Sequence, residues 1–149
     1  MTLFSVTFLP HGPAMFFDVP LRELYDQNVP LKLLLKGRET ELEDKLYETP
    51  LFEERVRLVE NFLSVLLKKS FKEYELNRIA KSIEMINRSK GLISVSELAS
   101  SACLSPKQYE RTFMTLVGSS PKQFLRTIRF QNTLHLKHLL NGISLSASG

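Results

Sequence analysis

The chain has 149 residues, 43% apolar and 24% charged, enough to bury the core of one domain or of two small ones. Its single cysteine excludes an intramolecular disulfide, no apolar run is long enough to span a bilayer, and the N-terminus lacks the basic-then-apolar order of a secretory signal. A soluble, cytoplasmic protein with no membrane partner is therefore expected, and its charge is uneven: ten Lys/Arg face eleven Asp/Glu in residues 1–72, but ten face five in residues 73–149.

Leu3 to Leu9 (LFSVTFL) alternates apolar and polar residues, with Phe4, Val6 and Phe8 on one side. That is a strand pattern, closed by the turn-forming Pro10-His11-Gly12-Pro13. Ala14 to Phe17 would be a second extended piece. Nothing else reads as a strand, and a lone strand is not stable in water, so this one must pair with another chain or with segments outside these residues. From Asp18 onward the pattern is helical. VPLRELYDQ predicts a short helix, and residues 31–47 a helical region carrying Leu31, Leu34, Leu42 and Leu46, broken at Gly37. Thr49-Pro50 reads as a cap with a first-turn proline, opening a helix to about Lys69 that buries Phe52, Val56, Val59, Leu63 and Leu66. The polar stretch Lys68 to Tyr74 is the candidate domain boundary. A helix over 73–88 follows, with Leu76, Ile79, Ile83 and Ile86 inward and Gly91 as its left-handed stop.

Three helix starts then come in quick succession. Ser94-Val-Ser-Glu97 fits a capping box, in which the serine hydroxyl accepts from a free backbone N–H and the glutamate reaches back. Ser105-Pro-Lys-Gln108 and Ser120-Pro-Lys-Gln123 repeat the same design with proline at the first helical position, where its missing N–H costs nothing. The repeat is punctuation, not a duplicated domain. A short helix from Ser94 to Ala102, a tight turn at Cys103-Leu104 and a second helix over 106–117 predict a helix-turn-helix, with Val95, Leu98, Ala99, Tyr109, Phe113, Leu116 and Val117 inward. Cys103 reads as a small buried turn residue. The outward residues at the start of the second helix are Lys107, Gln108, Glu110 and Arg111. Such a helix enters the DNA major groove by its N-terminal end, where arginine can bond a guanine edge in bidentate fashion and glutamate can accept from cytosine. The plain alternative is a solvated basic face.

The run ISVSELASSACLSPKQYERTFMTLVGSSPKQFLRTIRFQNTLHL, residues 93–136, resembles the first helix-turn-helix of AraC/XylS-type bacterial transcription regulators. The likeness rests on Glu97-Leu98-Ala99, Leu104-Ser105, Arg111 two before Phe113, Gly118, Ser120-Pro121, and Phe124-Leu125 leading to Arg129. The helix from Pro121 to about Leu140 is similar to that family's linker helix. Residues 3–69 resemble, more weakly, the end of a sensor-type domain. The resemblance implies double-stranded DNA as partner, with Lys107, Gln108, Glu110, Arg111, Ser120, Lys122 and Arg126 on the DNA side. Arg126 and Arg129 could touch phosphate or brace the core. The resemblance also implies a small-molecule effector in a complete regulator, and a second helix-turn-helix beyond Gly149. Residues 1–70 would then be the sensor-like part, able to pair into a homodimer, and 71–149 the first reader with its linker helix. The expected fold class is mainly α: a helical bundle containing the helix-turn-helix, preceded by a short β remnant.

No paired carboxylates in a polar cluster, no nucleophile with its base and no phosphate-cradling glycine loop occur, so neither an enzyme nor a cofactor is expected. His135 and His138 lie three apart on one helix, half of a metal site without further ligands nearby, and read as incidental surface residues.

Overall fold

The computed structural model describes residues 4–67 and 73–146, and side-chain surroundings as far as residue 140. Among them the chain is mainly helical, with no strand. Two 3-10 turns, Gly12–Met15 and Leu21–Glu23, precede seven α-helices: α1 Leu31–Leu35, α2 Thr40–Glu48, α3 Phe52–Leu66, α4 Glu73–Arg88, α5 Val95–Ser101, α6 Pro106–Val117 and α7 Pro121–Ser146. Part of the boundary expected at Lys68 to Tyr74 lies outside the described residues, as does Leu3.

The expected strand is not formed. Residues 4–9 run without regular structure, and Ala14 lies in a 3-10 turn instead of an extended piece. With no second strand to accept its backbone bonds, the segment is held by its side chains. The Phe4 ring meets Phe52 at 5.7 Å, and Phe8 meets Phe16 and Phe17 at 5.5 and 6.2 Å. The alternation still carries information: Phe4, Val6 and Phe8 all line one apolar cavity of about 300 Å³, shared with Leu35, Leu46 and Leu63. Alternate residues of an extended chain face the same way whether or not a ladder forms.

The break expected near Gly37 occurs, since Lys36 and Gly37 are both left-handed (φ 54° and 84°). The face of α3 differs from expectation at its start. Phe52 is 64% exposed although Leu66 is buried, and Leu51, not Thr49, stands at the N-cap without a side-chain cap bond. Among the described residues the ring that meets Phe52, in the first turn of α3, is that of Phe4, an arrangement that leaves most of it in water.

The core lies in the second half. Ile79, Ile83 and Ile86 of α4, Leu98 and Ala99 of α5, Tyr109, Phe113 and Leu116 of α6, and Leu125 of α7 form one buried cluster. The spacing of three and four within each helix puts these residues on one stripe, which is why the sequence closes around them. Phe113 is the hub, with ring centroids 5.8 Å from Tyr109 and 5.6 Å from Phe124, both in tilted or edge-on geometry. The end of α4 is tied by Gly91 N–H, which donates to the Ile86 carbonyl at 2.9 Å. Arg129 of α7 donates to the Gly91 carbonyl at 3.0 Å, so this arginine braces the core.

The hydroxyl of Tyr109 is buried and closes no hydrogen bond, although it lies near Ser82, whose own hydroxyl donates to the Arg78 carbonyl at 3.1 Å. Burial pushes the phenol's pKa up, and the neighbouring Ser82 partly opposes that rise. Removing an unpartnered buried hydroxyl should not destabilise. Tyr109→Phe is expected to be neutral or to add up to about 1 kcal/mol in urea denaturation. A loss larger than about 1 kcal/mol would mean that the hydroxyl has a partner.

Candidate nucleic-acid interface

All three capping boxes form. Ser94 Oγ accepts from Glu97 N–H at 3.2 Å while Glu97 accepts from Ser94 N–H at 2.9 Å. The Ser94 hydroxyl, and then the Ser94 N–H, hold the Glu97 carboxyl below the usual carboxylate range. Ser105 and Gln108 exchange the same pair of bonds at 3.2 and 3.3 Å, and Ser120 and Gln123 both at 3.2 Å. These reciprocal bonds fix where α5, α6 and α7 begin, and so which residues face outward.

The connection from α5 to α6 turns at Cys103, whose φ is 54° and whose N–H donates to the Ser100 carbonyl at 3.0 Å. Cys103 is exposed, not buried as its small size and turn position suggest. At this left-handed position the Cys103 side chain faces solvent, while Leu104 packs against the core. A non-glycine residue there is strained by about 1–2 kcal/mol, partly offset by glycine's greater chain entropy. Cys103→Gly should therefore stabilise by about 0.5–1 kcal/mol. A drop in the urea midpoint would show that the turn carries no strain.

On α6 the buried stripe of Tyr109, Phe113 and Leu116 leaves Lys107, Gln108, Glu110 and Arg111 exposed. At 100° per residue, Lys107, Arg111 and Thr115 lie along the line opposite the buried stripe, with Glu110 on its flank. Gln108 is less free than expected. Its side-chain oxygen accepts from both the Ser105 N–H and hydroxyl, so only its amide nitrogen points away from the cap. Ser120 is likewise engaged by Gln123, and it is half-buried. Lys122 and Arg126, four apart at the start of α7, are both exposed. Six of the seven residues singled out from the sequence are thus at the surface, two serve helix caps, and five carry charge.

Sequence reading missed Arg22. Its Nη1 donates to Thr115 Oγ1 on the outward line of α6 at 3.3 Å. No local pattern could have revealed a contact between residues 93 positions apart. Among the described residues no three His, Cys, Asp or Glu side chains gather as a metal-holding group, and no helix is long and apolar enough to cross a membrane.

No protein-family model, curated protein or solved structure matches the chain.

Proposed function

We propose that the chain is a sequence-specific, double-stranded-DNA-binding transcription regulator of AraC/XylS type. In this reading α5 and α6 act as a helix-turn-helix, α6 enters the major groove, α7 is a linker helix, and residues 1–70 belong to a sensor-like part. The observation that carries it is the division of α6. One side is fully buried at Tyr109 and Phe113, and the opposite side presents Lys107 and Arg111 beside Glu110 to solvent. A rigid, core-anchored helix offering arginine, lysine and a carboxylate in its first turns carries the donors and acceptor that base edges require. Lys122 at the start of α7 adds a cation where free helix N–H groups favour phosphate.

The test selects bound duplexes from a random pool and compares Arg111→Ala with the parent on the selected site. If Arg111 reads a base, the substitution should cost about 1–3 kcal/mol on that site and much less on random DNA. Equal losses would make Arg111 a phosphate contact. No loss on either would defeat the placement of α6 in the groove.

A second reading, a protein-interaction module, is favoured by one observation. Phe130, Leu134, Leu136, Leu139 and Leu140 are exposed along the later turns of α7. In that case self-association would dominate, and any binding to DNA would collapse under excess random competitor and rising salt.

A further inference from the structure

The 3-10 turn Leu21–Glu23 docks against the end of α6, from the other half of the chain. Leu21 is 5% exposed, and its carbonyl approaches so closely that a Cβ on Gly118 would stand 2.9 Å from it. Glycine at that position is what lets the two backbones meet. Glu23 N–H donates to the Pro20 carbonyl at 2.9 Å and Leu24 N–H to the Leu21 carbonyl at 3.0 Å, so the backbone around Arg22 is fixed. The guanidinium then lies on Thr115, whose own hydroxyl donates to the Arg111 carbonyl at 2.9 Å.

Arg22 therefore extends the outward line of α6: Lys107, Arg111, then Arg22 above Thr115. Four-residue spacing at about 1.5 Å per residue makes the distance from Lys107 to Thr115 about 12 Å, close to the width of the B-DNA major groove. A helix that reads bases with its first turn brings the far end of that line to the groove's rim, where phosphates lie. The bond to Thr115 uses one of the five N–H donors of the guanidinium, whose planar fork suits a phosphate. We propose that Arg22 is a phosphate-contacting residue of the nucleic-acid interface, a cation that the N-terminal half contributes to the face of α6. This rests on the DNA reading of that face. It means that the two halves grip DNA as one surface.

A phosphate contact is independent of sequence, so the probe is a fluorescent random-sequence duplex of about 25 base pairs, titrated with the whole chain between about 50 and 200 mM salt. Each phosphate contact contributes about 0.9 to the slope of log affinity against log salt. Arg22→Ala should weaken binding at low salt and reduce that slope by about 0.9, so its loss of affinity over the salt range shrinks three- to four-fold relative to the parent. Arg22→Gln keeps an N–H donor for Thr115 and removes the charge, and should behave like Arg22→Ala. Arg22→Lys should restore the slope. Should Arg22→Gln retain the parent slope, or Arg22→Ala bind more tightly, the proposal is overturned, the second outcome showing that the turn shields α6. If Lys107→Ala and Arg111→Ala weaken binding while the Arg22 variants do not, Arg22 alone is excluded. A parent chain that binds no duplex at about 50 mM salt would instead overturn the DNA reading itself.

Discussion

Phe113→Ala should cost about 3–5 kcal/mol, the range for truncating a fully buried aromatic, because the void left behind cannot collapse against its neighbours. Phe113 has no exposed surface, and its ring joins Tyr109 of its own helix to Phe124 of the next. One truncation therefore loosens α6 against α7 as well as against α4 and α5. Against a typical domain stability of about 5–15 kcal/mol, such a loss takes away a large share of the folded population. Urea denaturation followed by far-ultraviolet circular dichroism measures it. A change under about 1 kcal/mol would mean that the ring is not enclosed as described.

The second large effect is expected at Gly91. Its φ is +79°, and an added Cβ would stand 2.7 Å from the Leu125 carbonyl oxygen and 2.9 Å from Arg129 Cγ. The oxygen belongs to helical backbone and cannot move aside without disturbing α7. The left-handed conformation alone costs an L-residue about 1–2 kcal/mol, and the overlap raises the expected cost of Gly91→Ala to about 2–4 kcal/mol. It would also displace the carbonyl that accepts from Arg129. The same urea titration reads it, and a loss no greater than about 1 kcal/mol would show that α7 can withdraw freely from the end of α4.

What the sequence disclosed, and what it hid, follows the range of the interactions. The three capping boxes link residues three apart, so the starts of α5, α6 and α7 were readable from Ser94, Ser105 and Ser120 alone. The inward stripe of α4 was equally plain, because Ile79, Ile83 and Ile86 repeat at the helical period. The N-terminal segment misled because alternation reports only which side chains share a face. Whether Phe4, Val6 and Phe8 meet a neighbouring strand or a layer of helices depends on residues far along the chain. Phe52 was misplaced for a related reason: periodicity gives a helix its apolar side but not whether anything covers the first turn. The exposed cations Lys107, Arg111, Lys122 and Arg126 were legible as the polar sides of their helices, whereas Arg22 was invisible, since it joins that face only through the packing of Leu21 on α6.

The docking of Leu21 beside Gly118 also bears on the order in which the chain assembles. The buried cluster is made by helices that follow one another directly in sequence, so its contacts close short loops. The Arg22–Thr115 contact closes 93 residues, and the entropy of bringing such distant points together, (3/2)RT ln n, is about 4 kcal/mol before any constant is added. Local contacts form fast and distant ones wait. The bundle of α4 to α7 should thus be complete while the N-terminal turn is still searching for its seat, and on unfolding the turn should be the first piece to leave. On a ribosome the sequence of events reverses a common pattern, because the turn at Leu21–Glu23, synthesised before the bundle of α4 to α7, finds its place after it.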